Sequence, residues 1–408
     1  MAARDNIIVG LDIGTTKICC IITKLDESAG LEVIGFGTSE SKGLRRGMVV
    51  NMEQTVEAIT KAVDDAERMA GISVDEVYTG IAGGHIQGTS ASGVIAVKSG
   101  EITASDKKRV IEQAKDFARP VGVEIIHVLP QEFNVDDAFG IANPVGMTGS
   151  KLEVRLHIVT GSISAVSNIS KCAQKAGLGL KDIVLQQIAS SAAILTPDER
   201  QLGVILMDIG GGTTDIALFS GGSIRHTAVL PMGGDYVTND IAVGLRAPIM
   251  EAERIKIQQG HAIASSVSAE ELIEVPSIGG DKVNTVSKRV LAEIIQSRME
   301  EIFKLAYNEI YNTGLADRMP AGLVLTGGAS LLEGVGTLAE GILHLPVRTG
   351  IPRGVGGLVE LVENPAYATA VGLCLYEAQH PSKRYTPGGN AAFQNIFERM
   401  IQWFREIF

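Results

Sequence analysis

Two stretches decide the fold: Ile7-Ile8-Val9-Gly10-Leu11-Asp12-Ile13-Gly14-Thr15-Thr16-Lys17 and Gly203-Val204-Ile205-Leu206-Met207-Asp208-Ile209-Gly210-Gly211-Gly212-Thr213-Thr214-Asp215. Each starts as a short apolar run that reads as a buried strand. Each then passes through Asp-Ile-Gly and a Thr-Thr pair into a second apolar run, Ile18 to Thr23 in one case and Ile216 to Phe219 in the other. The polar residues between the runs read as the turns of hairpins. A strand, a Gly-Thr turn and a strand, found twice and far apart, imply two related halves facing each other. The expected class is α/β with an internal duplication at domain scale.

The turns have the chemistry of a triphosphate site. Backbone N–H groups converge on an anion only where the chain bends tightly, which Gly14 and the run Gly210, Gly211 and Gly212 allow. Thr15, Thr16, Thr213 and Thr214 offer hydroxyl donors, and Lys17 brings a positive charge. Asp12 and Asp208 end their strands, and Asp215 closes the second turn. All three are candidates to hold Mg²⁺ through its water shell, because that ion dehydrates reluctantly. A single such turn reads equally well as plain hairpin chemistry; the pair, with a third Gly-Gly turn after the strand Gly322 to Leu325, points to a ligand. There is no G-x-x-x-x-G-K-[ST] loop, and no G-x-G-x-x-G joins a strand to a helix.

Between and around the two patterns the texture varies. Met52 to Ala70 has apolar residues at helical spacing, and Val77 to Ile81 reads as a core strand. From Gly83 to about Ser162 short β-type runs (Gly93 to Val97, Glu124 to Leu129, Leu152 to Val159) flank one charged helix, Ser105 to Ala118, as in a compact α+β insertion. A long helix is expected from Val286 to Tyr311, and His380 to Asn390 reads as a linker.

Composition narrows the function classes. Lys and Arg number 36 against 47 Asp and Glu, a formal charge of −11 that argues against a broad nucleic-acid surface. No opening segment has the pattern of a signal peptide, so a cytoplasmic body is expected. Cys19, Cys20, Cys172 and Cys374 lack metal or disulfide spacing and read as small buried hydrophobes.

At the end of the chain, Phe393, Ile396, Phe397, Met400, Ile401, Trp403, Phe404, Ile407 and Phe408 fall on an arc of roughly 160° of a helix. Polar residues take the other side. Such a helix is only ~24 Å long and cannot span a bilayer, but it can lie in the interface. Burying its nine apolar side chains yields on the order of 10 kcal/mol before ordering costs. Docking on the protein's own core or on a partner's groove is the alternative. The terminal position, the linker, and the aromatics in a chain with 4% aromatics favour a membrane.

The two turns resemble the phosphate 1 and phosphate 2 motifs of the superfamily of actin, Hsp70 chaperones and sugar kinases. Thr326-Gly327-Gly328-Ala329 is similar to its adenosine motif, and Gly233-Gly234-Asp235 and Glu253-Arg254-Ile255-Lys256 to its second-half segments. The resemblance implies an actin-like fold binding ATP and Mg²⁺, with adenosine held by Gly234, Glu253, Lys256, Gly327, Gly328 and Ala329. It also makes Gln187, in Leu185-Gln186-Gln187-Ile188-Ala189-Ser190-Ser191, the candidate to orient a catalytic water; both glutamines otherwise cap a helix starting near Ile188. ATP binding is expected, with hydrolysis weak or absent.

Within that superfamily the chain resembles the FtsA family of bacterial cell-division proteins. The residues that carry this are Ile126-His127-Val128-Leu129-Pro130-Gln131-Glu132-Phe133 and Asn143-Pro144-Val145-Gly146-Met147 in the insertion, with Val275-Pro276-Ser277-Ile278-Gly279-Gly280 and Ala292-Glu293-Ile294-Ile295-Gln296-Ser297-Arg298 later. It implies subdomain 1A over 1–83, 163–205 and 361–379, and an inserted subdomain 1C over 84–162. Subdomain 2A would cover 206–231 and 311–360, and 2B would cover 232–310. A linker over 380–392 and a membrane-targeting helix over 393–408 would follow. The implied function is to polymerise and tether the FtsZ ring to the inner face of the cytoplasmic membrane, 2B taking the FtsZ tail and 1C recruiting later division proteins. Arg298 is either a contact for that acidic tail or a solvated helix charge. A small-molecule kinase, a chaperone ATPase and the actin-like scaffold of a pilus or secretion system are the rival readings.

Overall fold

The two hairpins are superimposable in register. The computed structural model describes residues 6–26, 30–116, 122–278 and 283–380. In it Ile7–Ile13 pairs with Lys17–Asp26, Ile13 faces Ile18, and the Gly14 N–H donates to the Lys17 carbonyl at 3.0 Å. Val204–Ile209 pairs with Thr214–Ser220, Ile209 faces Thr214, and the Gly210 N–H donates to the Thr213 carbonyl at 3.0 Å. Each turn is shorter than its polar stretch, only Gly14 to Thr16 and Gly210 to Thr213 lying between the paired strands. Asp12 and Asp208 are strand residues, so the pleat fixes where their carboxyls point.

The same sheet grows around each hairpin. In the first half Gly30–Glu40 adds antiparallel to the return strand, while Glu76–Ile81 and Gly179–Leu185 add parallel on the other side. In the second half Ser223–Leu230 takes the first place, and Leu323–Thr326 and Val347–Thr349 take the other two. Parallel strands end together, and the crevice beyond their carboxyl ends is the usual ligand site of an α/β sheet.

Other elements fall close to their expected places. Met52–Ala70 is a helix capped by Asn51, whose side chain accepts from the Gln54 N–H, and stopped by Gly71 at φ 67°. The insertion is an α+β unit: a four-stranded sheet ordered Gln87–Ala96, Lys151–Ser162, Val123–Val135, Ala138–Ile141, covered by the helix Ala104–Asp116. It has its own core of Val110, Ile111, Phe133, Leu152, Leu156 and Ile158. The long helix runs Lys288–Asn312, starting later than expected because Val286 and Ser287 pair with Ile273 and Leu272 as a strand. All four cysteines are free and buried.

The helix Ala368–Gln379 locks the first half together. Its residues from Ala368 to Glu377 are all buried, against the strand Ile7–Ile13 and the helix Gln186–Ile194. Gly372 permits this approach, since a Cβ there would lie 1.8 Å from the Ala189 carbonyl oxygen. The rest of the linker, from residue 381, and the helix expected over 393–408 lie outside the described residues. Among the described residues no helix is long and apolar enough to cross a membrane.

Gly372→Ala forces the two helices apart and is expected to cost about 1–3 kcal/mol in urea unfolding. Gly341→Ala, in the helix Val335–Leu343 where an added Cβ meets nothing within 4 Å, is expected to be neutral or stabilising by up to ~1 kcal/mol. Equal effects of the two substitutions would show that close packing at Gly372 does not hold the helices.

Candidate functional site

The two turns meet across a cleft. A Cβ at Gly211 would lie 1.7 Å from Thr16 Oγ1, and one at Gly212 would lie 2.6 Å from Thr15 Oγ1. The glycines of the second turn are therefore required by the threonines of the first. Behind them is a cavity of about 590 Å³, in the range of small-molecule sites. It is lined by Gly14 to Lys17, Gly210 to Thr213, Asp12, Asp208 and Asp215. Gly234, Glu253, Lys256, Gly327, Gly328 and Ala329 line it too. Gly327, at φ 82°, is held against the second hairpin, where a Cβ would fall 2.3 Å from Asp208 Oδ1.

Two residues expected at the cleft, Thr214 and Gln187, do not line it. Thr214 is buried and donates to the Met232 carbonyl at 2.8 Å. Gln187 is fully buried behind the wall, donating to Asp215 Oδ1 at 3.1 Å and to the Ala228 carbonyl at 3.3 Å. Its neighbour Gln186 lines the cleft instead and donates to Asp12 Oδ1 at 3.1 Å. The helix begins at Gln186, two residues earlier than expected, so both glutamines are helical and their side chains leave it about 100° apart. Arg298 is already engaged: it pairs with Asp240 at 2.5 and 3.1 Å and with Glu301, and its guanidinium sits 5.6 Å from the Tyr236 ring centre.

Residues not singled out as ligands in the sequence complete the site. Asp235 accepts from Thr16 Oγ1 at 3.2 Å, tying the first turn to the helix Gly234–Leu245 of the second half. Thr369 donates to Asp208 Oδ2 at 3.3 Å from the buried helix Ala368–Gln379. Arg46, held at φ 52°, bonds the Tyr236 hydroxyl across the cleft and lies 5.4 Å from its ring centre. Asp235 follows the Gly233-Gly234 pair and was in reach of sequence reading; the partners of Thr369 and Arg46 are set only by the fold.

Electrostatically the site is short of positive charge. Burial pushes the Asp12 carboxyl up to about 6, with Lys17 opposing. Burial, with Asp12 adding repulsion, pushes Asp208 up to about 7 against the Thr369 hydrogen bond and Lys17. Asp215 is raised well above the carboxylate range by burial and by Asp208, although Thr213 Oγ1 donates to it at 3.0 Å. Lys17 is partly diverted: its Nζ donates to the Ala366 carbonyl and sits 4.0 Å over the Tyr367 ring. Glu253 and Lys256 pair at 2.7 Å, and Lys256 also donates to Thr238 Oγ1 and the Gly234 carbonyl. Among the described residues no three His, Cys, Asp or Glu side chains are arranged to hold a metal directly.

Family models and sequence relatives point to one family, and solved structures to its fold. A family model described as "Cell division protein FtsA" matches residues 205–372, and one described as "SHS2 domain inserted in FTSA" matches residues 83–160. The cell division protein FtsA of Pseudomonas aeruginosa is 46% identical over 377 residues, covering 92% of this chain and 90% of that protein. Among solved structures, a PilM-PilN type IV pilus biogenesis complex matches with a TM-score of 0.67 at 16% identity, over 91% of this chain and 98% of that one. MreB5 of Spiroplasma citri bound to ADP matches with a TM-score of 0.55 at 15% identity, over 91% of this chain and 96% of that one. These structures establish the actin-like fold; the sequence relative establishes the kinship.

The carboxyl cluster makes stability depend on pH. Folded values of about 6 and about 7 for Asp12 and Asp208 lie above the unfolded value near 4, so their contribution to stability is present in acid and lost as pH rises to about 7. Asp208→Asn removes one member and is expected to stabilise the ligand-free protein at pH 8 by about 1–3 kcal/mol in urea unfolding, flattening the change from pH 5 to pH 8. A variant less stable than the parent at pH 8 would show that the aspartate is not strained there.

Proposed function

The chain belongs to the FtsA family of cell-division proteins, and on that premise we propose that it is an ATP-binding, actin-like anchor of the FtsZ ring. The observation that carries the nucleotide part is the pair of Gly-Thr turns opposed across one cleft. Phosphates between them would receive N–H groups and hydroxyls from both halves, with Lys17 adding charge. Gly234, Glu253, Lys256, Gly327, Gly328 and Ala329, on the walls of the same cavity, suit the adenosine.

The acidic residues fit a hydrated Mg²⁺. Asp12 and Asp215 are buried, Asp208 is partly buried, and the three carboxyls repel one another, a demand for positive charge that a cation keeping its waters would meet. Bound Mg²⁺ supplies the positive charge that carboxylates and phosphates both lack. Gln186, on the cleft wall, is the amide placed to orient a water; an amide cannot deprotonate one, and the proposed turnover is slow or absent. The nucleotide then serves chiefly to hold the two halves together. Closure would favour assembly, and many weakly bound tails 393–408 acting together would hold the polymer on the inner face of the membrane. In this scheme subdomain 2B over 232–310 takes the FtsZ tail and 1C over 84–162 serves filament contacts and recruitment. A tail that used Arg298 would first have to displace Asp240 and Glu301.

The kinase and pilus readings lose their support to the 46% identity over most of the chain, since the likeness to the pilus protein is one of fold. Calorimetric titration with Mg-ATP tests the nucleotide part. The parent is expected to bind, and Gly211→Ala, whose methyl meets Thr16, to lose affinity by about tenfold or more (about 1.4 kcal/mol). Parent and variant binding alike would contradict a site between the turns. Sedimentation with anionic vesicles, with and without 393–408, tests the anchor; equal sedimentation would remove it.

A further inference from the structure

We propose that Gln187 is a positioning residue that fixes the carboxyl group of Asp215, and that this contact sets how strongly a divalent cation tightens nucleotide binding in the cleft. The inference rests on the ATP reading above. Gln186 and Gln187 are consecutive at the start of one helix, roughly 100° apart around its axis, so their side chains diverge. The Gln186 amide reaches the first hairpin at Asp12, and the Gln187 amide reaches the second at Asp215. One rigid element thus holds a carboxyl from each half of the molecule.

Gln187 does not line the cleft, whereas Asp215 does. Its influence on a ligand has to pass through the carboxyl it holds. Asp215 Oδ1 accepts from Gln187 Nε2 at 3.1 Å and Oδ2 from Thr213 Oγ1 at 3.0 Å, so the group is pinned at both oxygens. The same amide nitrogen donates to the Ala228 carbonyl at 3.3 Å, anchoring it to the neighbouring strand.

A purely structural part for Gln187 is disfavoured by its other end. The side chain is 0% exposed, and its Oε1 has no hydrogen-bond partner among the described residues. Leaving a desolvated amide oxygen unpaired carries a penalty that Leu or Met would avoid while filling the same space. The N–H side of the amide is what the site requires. Groups that orient metal-binding carboxylates from behind commonly change metal affinity by about 10–100-fold when removed.

The test measures ATP affinity by calorimetry in Mg²⁺ and in EDTA for the parent, Gln187→Met, Gln187→Leu and Ser191→Ala, with melting followed by circular dichroism. Ser191 is buried on the same helix and donates to the Ile188 carbonyl, so its variant reports a loss of stability alone. Expected is a Mg²⁺ enhancement that falls about tenfold or more in the Gln187 variants, with affinity in EDTA held within about twofold, and an unchanged enhancement in Ser191→Ala. An enhancement unchanged in Gln187→Met, or affinity lost equally in Mg²⁺ and EDTA, would overturn the proposal. A parent that binds no ATP in either condition fails the nucleotide reading itself, and this inference with it.

Discussion

Asp12 and Asp215, both buried, and the partly buried Asp208 line one cleft where the two hairpins converge, and much of the surrounding structure serves to hold them there. Like charges out of water repel strongly, and Lys17 alone does not offset three carboxyls. The fold supplies neutral donors instead: the amides of Gln186 and Gln187 and the hydroxyls of Thr369 and Thr213. These come from a helix start, the last described helix and the second turn, so several distant segments must be in place before the cluster is tolerable. A cation arriving with a polyphosphate would relieve what the protein alone only contains. That makes the ligand-free cleft a state of stored electrostatic cost, and binding a way of stabilising closure.

Closure has its own contacts. Thr16 to Asp235 and Arg46 to Tyr236 both run from the first half to the helix Gly234–Leu245, which itself leans on the second turn through the Gly234 and Asp235 N–H groups. Tyr236 also lies near Arg298, so the cleft mouth and the long helix Lys288–Asn312 share one aromatic ring. On the other side, Gln131 of the insertion donates to the Ile224 and Arg225 carbonyls, and His157 contacts Thr227 at 2.8 Å. The insertion is thereby seated on the second half through polar contacts.

Much of this was legible in the chain itself. Periodicity found the strands, because buried strands are continuous apolar runs, and the repeated Asp-Ile-Gly pattern found the duplication. Met52–Ala70 was read to the residue from its unbroken apolar stripe, and the structure shows Asn51 and Gly71 capping it at those ends. The errors have physical causes too. Gln187 was favoured over Gln186 by resemblance to a motif, which cannot tell two adjacent amides apart; about 100° of helix turn puts Gln186 on the cleft wall and Gln187 behind it. Val286 read as helical because a strand that feeds straight into a helix leaves no break in the apolar pattern. Thr369, Arg46 and Tyr236 carry no local signal at all; their partners are far off in sequence and only the topology brings them together.

The central claim is that one nucleotide is gripped by both turns at once. Hydrogen exchange followed by mass spectrometry across a Mg-ATP titration measures this directly. The account predicts that peptides spanning Gly14 to Lys17 and Gly210 to Thr213 become protected together, with the same midpoint. Protection of one turn without the other, or of neither at saturating nucleotide, would contradict it.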